Sequence, residues 1–430
     1  MKKILILGNG RSAQFLINAL YEKRIDWNIK LTVVDAKLLV NRLDSDKFFD
    51  SFIADLQNEE TLSELVNDCD ICISLLPPSF HFSVAKQCVR FKKSMFTASY
   101  LSPEIKSLSL EAQRAKVLIG MELGLDPGID HLTALHRLDE LKSQGAIIDS
   151  FESFCGGLVD IEDENNPIKY KISWNPGNVV NAGQNGKATF LFENKIYSIP
   201  PNRLFENPME INLGSDELRF EMYPNRDSIA YQKIYELENA KTFIRGTLRR
   251  SPFCKCWNVV VKNGWIDHNF IFENSERRMT WKDLFSTFQQ PWSHNLIVDN
   301  EIAEFFKFMD FFSNEKIPLD KFTSAKALEY LLVEKLSFKK EEKDRVVMIH
   351  RIEYTLNGLE KKEVMLMDEI GDAQFTAMSK WVGMPILGMI ELFLEGKTSN
   401  LLGVYSSFNR EIVNLLQPKM MEMGLKMRFV

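Results

Sequence analysis

Cysteine is scarce in this 430-residue sequence, and the six present (Cys69, Cys72, Cys88, Cys155, Cys254 and Cys256) are scattered along it. No paired CxxC set of the kind that holds a metal occurs, and the spacing is unlike the dense arrays of disulfide-stapled secreted domains. No metal and a reducing, cytoplasmic setting are expected. Long runs of one charge are missing too. A net charge of -6 spread over the whole length points to neither nucleic acid nor an anionic membrane as a partner, which leaves small molecules. After Met1 come two lysines and a short apolar run that Gly8 interrupts, too little for a signal peptide or a membrane span. Internal repeats and low-complexity tracts are absent as well.

What is present is enough apolar material for more than one core. Apolar residues make up 45% of the chain and include 31 phenylalanines, and the length exceeds what a single core usually serves. From Lys3 to about Glu122, short β-branched runs (ILIL, LTVVD, ICISLL) alternate with amphipathic stretches, the pattern of parallel strands joined by crossover helices. Between Asp149 and Arg250 the runs shorten and alternate, as in a mixed or antiparallel sheet. Helical spacing returns from about Thr280 to Lys339; strand-like segments follow at Arg345 to Leu356 and Glu363 to Met367, then an amphipathic helix at Ala373 to Glu395. The expected fold is α/β, with three parts. Residues 1–124 and 396–430 form a dinucleotide-binding Rossmann domain, 125–279 and 340–395 a mixed-sheet α+β substrate and dimerisation domain, and 280–339 a helical insertion.

The first chemical motif is Gly8-Asn9-Gly10-Arg11-Ser12-Ala13, a G-x-G-x-x-A turn between a strand and a helix. Gly8 permits the tight turn, Gly10 lets the backbone approach a pyrophosphate, and Ala13 keeps helix and strand close, while the phosphate meets the helix N-terminus. Asp35 ends the second strand, where a carboxylate accepts from the ribose hydroxyls and repels a 2′-phosphate. That favours NAD, with NADP possible through Lys37 or Arg42. Asp55 is placed at the third strand end beside the adenine, and Leu75, Leu76 and the two following prolines at the fourth.

Further along, Thr97-Ala98-Ser99-Tyr100 and Met121 to His131 each turn out of a strand. Asp126 before Pro127 reads as a helix start, and Asp130 and His131 as first-turn residues with a capping or surface role. These segments, with Ser153-Phe154-Cys155-Gly156-Gly157, the stretch Asn166 to Trp174 and Arg245 to Arg249, together resemble the saccharopine dehydrogenase family, in its glutamate-forming branch.

The resemblance implies hydride exchange at a secondary amine. Saccharopine is oxidised to an imine that water hydrolyses to glutamate and aminoadipate semialdehyde, in a cleft between the first two domains. It places substrate contacts on Ser99, Tyr100, Leu125, Gly128, Ile129, Asp130, Arg226, Arg245, Gly246 and Thr247, and cofactor contacts on Gly10 to Ala13, Leu75, Leu76 and Asp126. The titratable groups it brings near the nicotinamide are Asp126, Tyr100 and Cys155, Asp126 first among them for proton transfer. A tricarboxylate suits Arg226 and Arg245, which Arg249 and Arg250 are able to assist. A homodimer is expected. The segments Leu158 to Glu162 and Gly403 to Ser407 depart from the family pattern, so the amine partner stays open. A carboxynorspermidine synthase-like condensation is the enzymatic alternative, and a non-catalytic dinucleotide sensor the alternative of another class.

Overall fold

The computed structural model describes residues 1–37, 46–184, 186–276, 278–287 and 299–430; Arg42 lies outside them. The chain divides into two compact units, Met1–Gln144 with Gln374–Met427, and Gly145–Ala373 with Arg428–Val430. In the first unit, β1 (Lys2–Leu7), β2 (Ile29–Asp35), β3 (Phe49–Ile53), β4 (Ile71–Ser74), β5 (Ser94–Phe96) and β6 (Leu118–Met121) join Gly403–Ser406 in a seven-stranded sheet. Every pairing in it is parallel. The continuous burial of β4, β5 and β6 explains why: strands this apolar need helices on both faces, and a parallel sheet connected by helices supplies them. The order runs Gly403–Ser406, β6, β5, β4, β1, β2, β3. Because β1 lies between β2 and β4, the winding reverses there, and in such sheets ligands enter at the carboxyl ends of the two strands beside the reversal.

The helices α1 (Gln14–Lys23), α2 (Glu59–Asn67) and α3 (His81–Phe91) are the crossovers. Asn58 starts α2 by accepting the backbone N–H groups of Glu60 and Thr61, leaving Leu62 and Val66 on the sheet side. The helix Ala377–Leu394 also belongs to this unit, whereas the sequence pattern assigns it to the substrate domain. It is apolar and long enough to cross a membrane, and most of it is buried. Gly383 lets it press on α1, where a Cβ would lie 3.0 Å from that of Leu16, and Ser379 Oγ accepts the Phe15 N–H. A helix apolar around most of its circumference carries no sign of which core it completes.

The second unit is built on a nine-stranded mixed sheet. β7 (Ile147–Val159) lies at its centre; β8 (Ala188–Phe192), β9 (Lys195–Ile199), β10 (Met209–Asn212), β11 (Arg219–Pro224) and β12 (Thr242–Arg249) occupy one side. Asp344–Leu356 and Leu359–Ile370 occupy the other. β12 runs parallel to β7 and antiparallel to β11. The last strand, Arg428–Phe429, pairs with Leu359–Ile370, so the C-terminal tip leaves the first unit rather than staying in it. The helical stretch beyond Thr280 shares one hydrophobic core with the helix Phe253–Lys262: Trp257, Trp265, Phe285, Phe305 and Phe311 are fully buried together. Those aromatics knit the expected insertion into the unit.

Candidate functional site

The glycine turn has the geometry that its sequence demands. Gly8 has φ +104°, and a Cβ there would sit 2.7 Å from the Leu75 carbonyl oxygen at the neighbouring strand end, so only glycine fits. At Gly10 a Cβ would meet nothing within 4 Å. Arg11–Ala13 then form a 3-10 turn leading into α1, no side chain caps the start of either element, and Ala13 is buried against the strand layer. Gln14 Nε2 donates to the carbonyl oxygens of Asn9 and Gly10 and braces the turn from inside the helix. Open space beside Gly10 and an uncapped helix start fit a dinucleotide pyrophosphate.

Asp35 reinforces the same turn: its carboxylate accepts the Asn9 N–H at 2.5 Å and the Lys37 N–H at 3.4 Å. Two of its acceptor positions are therefore used, and a carboxylate has more to offer a ribose. Asp55 is exposed beyond β3 and accepts the Gln57 N–H at 2.9 Å. Leu75 and Leu76, both half-buried, carry the chain away from β4, with the Leu75 N–H donating to the Leu7 carbonyl.

Tyr100 and Asp126 come together: the phenol donates to Asp126 Oδ1 at 3.2 Å, and both residues are half-buried. The Asp126–Pro127 bond is cis and the helix begins only at Ile129, so Asp126 is not the helix-start residue that the Asp-Pro step suggests. Gly128 serves packing. With φ +150°, it passes so close to Gly124 that a Cβ would overlap that backbone. Asp130 Oδ1 accepts the Gly128 N–H at 2.7 Å, which is a capping bond, but Asp130 and His131 are fully buried rather than on the surface. The imidazole of His131 stands between Glu122 Oε2 at 3.6 Å and Asp130 Oδ2 at 3.7 Å, with its ring edge-on to Phe408. Leu125 and Ile129 are buried as well.

The second unit gathers the remaining candidates on adjacent strands. Arg245 of β12 pairs with Ser153 of β7, and Thr247 with Cys155, so Arg245, Thr247, Arg249 and Cys155 share one face. Arg245 is buried with its guanidinium 4.3 Å from the Tyr231 ring centre, and its backbone N–H donates to Ser228 Oγ at 3.0 Å. Gly246, on the opposite face, lies against Met222, whose sulfur would be 2.3 Å from a Cβ there. Arg226 is exposed just past β11 and holds φ +38°, a left-handed conformation that is costly for a side-chain-bearing residue. Its loop is pinned by Asp227, which accepts from the Thr189 hydroxyl and the Ile229 N–H. Cys155 is buried opposite Thr247 and Met348.

The neighbours Arg249 and Arg250 part ways. Arg249 is 3% exposed and faces the rings of Tyr170, Tyr223 and Phe253 at 5.0 to 5.7 Å. Arg250 pairs with Glu164 at 2.7 Å and donates to the carbonyls of Asp216 and Arg219, a structural role.

Two residues to which the sequence motifs assign no role also belong here. Glu122 holds φ +58° and accepts the Leu101 N–H at 2.9 Å, tying the Ser99 segment to the end of β6. His81, at the start of α3, lies between Ser74 and Ser99. Little in the sequence marks His81, because its second partner, Ser99, comes from the end of the neighbouring strand; Glu122 shows only as the acid before the GLDPG turn.

A parallel sheet in this order, with a glycine turn after its first strand and an acid at the end of its second, defines a dinucleotide-binding Rossmann protein. The family's "Saccharopine dehydrogenase NADP binding domain" model matches residues 4–119, and its "Saccharopine dehydrogenase C-terminal domain" model matches 124–425. The chain belongs to the saccharopine dehydrogenase family.

Among its relatives, the NADP(+), L-glutamate-forming saccharopine dehydrogenase of Saccharomyces cerevisiae is 31% identical over 97% of both chains. The mitochondrial alpha-aminoadipic semialdehyde synthase of Bos taurus is 33% identical over 96% of this chain, which spans 46% of that longer protein. In structure, the chain is similar over its whole length to the apo L-Glu-forming saccharopine dehydrogenase of Saccharomyces cerevisiae, with a TM-score of 0.86 at 27% identity. It shares a fold with a homospermidine synthase of Legionella pneumophila at a TM-score of 0.57 and 12% identity, covering all of this chain and 91% of that one.

Proposed function

We propose that this protein is an NAD(P)-dependent saccharopine dehydrogenase of the L-glutamate-forming type, in lysine metabolism. The bond it acts on joins the glutamate nitrogen to C6 of the aminoadipate skeleton. The observation that carries this reading is the half-buried Tyr100–Asp126 pair, set on turns that leave the parallel sheet's carboxyl edge. It is supported by full-length similarity to a yeast enzyme of that name.

The turn Gly8 to Ala13 and Asp35 would hold the dinucleotide, whose nicotinamide supplies the hydride acceptor or donor. The other steps are proton movements, and the Tyr100–Asp126 pair has the chemistry for them. Asp126 accepts a proton from the secondary ammonium so that C6–H can be lost as hydride, and releases that proton to solvent as the one proton the overall oxidation liberates. As a carboxylate again, it deprotonates the water that adds to the iminium carbon. Tyr100 shares the proton that Asp126 holds. Departure of glutamate requires its nitrogen to be protonated, and the same pair returns the proton. Arg226 and Arg245 suit the carboxylates of the substrate, by bidentate hydrogen bonds.

The matched domain and the fungal relatives carry NADP in their names, which supports NADP; they give no support to a preference for NAD. That preference rests on Asp35 alone, whose charge opposes a 2′-phosphate. The reading is tested by supplying saccharopine with NAD+ or NADP+ and following reduced nicotinamide. Formation of glutamate in equal amount is the expected result, and its absence in a folded, dinucleotide-binding protein rejects the proposal.

A further inference from the structure

At the carboxyl edge of the parallel sheet, a hydrogen-bonded chain runs through three side chains. Ser74 ends β4, His81 opens α3, and Ser99 follows β5, the strand next to β4. His81 Nδ1 is 2.8 Å from Ser74 Oγ, and Nε2 is 2.6 Å from Ser99 Oγ. The imidazole is 2% exposed, and burial pushes its pKa down to about 4, so near neutral pH it carries one N–H and one lone pair.

Ser74 decides which nitrogen has the proton. It is fully buried, and among the described residues its hydroxyl has no hydrogen-bond partner other than His81. If Nδ1 donated to Ser74, the single hydroxyl proton of Ser74 would face no acceptor, a cost of about 1–3 kcal/mol for a buried polar group. The economical arrangement runs one way. The Ser74 hydroxyl donates to Nδ1, Nε2–H donates to Ser99 Oγ, and the Ser99 proton is turned away from the ring. Ser99 itself is half-buried, and its backbone is fixed by the Thr97 hydroxyl oxygen and the Glu122 N–H.

We infer that His81 is a positioning residue which, locked in one tautomer by Ser74, holds the Ser99 hydroxyl as a hydrogen-bond donor to a carboxylate oxygen of the amino-acid substrate. This rests on the saccharopine reading for the identity of the acceptor, but not for the direction of the chain. Only the neutral ring can give the chain a direction, because a charged imidazolium would donate from both nitrogens and leave Ser74 nothing to decide.

Two measurements on the full chain test it. Nitrogen NMR of histidine-labelled protein should show His81 protonated at Nε2 and bare at Nδ1 at neutral pH; protonation at Nδ1 overturns the inference. Kinetics then test the acceptor. Ser74→Ala, which touches no substrate, should raise KM for glutamate about tenfold while kcat stays within about twofold and dinucleotide affinity is unchanged. His81→Gln keeps an amide donor toward Ser99 and should stay within about threefold of the parent KM, whereas His81→Leu should match Ser99→Ala. An unchanged KM in Ser74→Ala and His81→Leu, or a change confined to dinucleotide affinity, contradicts it. An Nε2–H tautomer in a protein that turns over no saccharopine would reject the substrate reading while leaving the direction of the chain in place.

Discussion

The Tyr100 hydroxyl donates to Asp126 Oδ1 at 3.2 Å, joining two turns that leave β5 and β6 of the parallel sheet. A phenol and a carboxylate in this contact, both half-buried, form a unit able to hold and pass a proton, and their effects should not add. Asp126→Ala is expected to lower kcat by about 10²–10³ with dinucleotide binding intact, and Tyr100→Phe by about tenfold. The double variant should be little worse than Asp126→Ala. Full additivity in steady-state kinetics would show that the two act separately.

Gly8 is set by the backbone beside it. A Cβ there would lie 2.7 Å from the Leu75 carbonyl oxygen, on a residue whose φ is already +104°. Gly8→Ala should therefore cost about 2–4 kcal/mol in urea unfolding and abolish dinucleotide binding, because either β1 or β4 must move. Wild-type stability in this variant would mean that the turn tolerates side chains.

How much of this could be read from the amino acids depends on how local each feature is. The Gly8 to Ala13 turn and Asp35 lie close to strand ends that announce themselves by β-branched runs, and their placement follows from the pattern. His81 does not: Ser74 is only seven residues before it, but Ser99 reaches it only through the neighbour order of β4 and β5. Arg249 and Arg250 look alike in sequence. One points into an aromatic cage and the other pairs with Glu164, a difference set by strand pleat and by partners far along the chain. The helix Ala377–Leu394 is plain as a helix, but its packing partner is not, because an apolar surface names no partner. Asp130 and His131 look like capping or surface residues of a first turn, yet both are buried, with the His131 ring between Glu122 and Asp130 and against Phe408.

The arginines should separate by what they lose. Arg226, exposed, is expected to raise KM for the carboxylate substrate about 10–100-fold on change to alanine, with stability altered by about 0.5 kcal/mol or less. Arg249, packed among Tyr170, Tyr223 and Phe253, should instead cost about 2–4 kcal/mol of stability when truncated. Unfolding and initial-rate measurements on both variants decide it, and the reverse pattern would exchange their roles.

His81 gives a sign for pH. Its pKa in the folded chain is held near 4 by burial, below the ordinary value of 6.5. The unfolded chain thus binds a proton first, so the contribution of His81 is fully present above about pH 6.5 and is lost as pH falls toward 4. The loss amounts to about 3 kcal/mol, and His81→Gln should flatten that part of the stability profile. A profile equally steep in the variant would assign the acid sensitivity to other groups.

Asp35→Ala should weaken NAD binding more than NADP binding, as measured by titration of reduced dinucleotide fluorescence. Equal losses would remove Asp35 from the choice of cofactor and leave only its bond to the Asn9 N–H.

Competition between amine partners in the reductive direction, with consumption of reduced dinucleotide followed in each case, tests the saccharopine assignment most directly. Rapid consumption is expected with glutamate and aminoadipate semialdehyde, saccharopine being the product, and none with aspartate semialdehyde and a diamine. Turnover of the diamine pair, or of neither pair by a folded protein that binds the dinucleotide, would contradict the assignment.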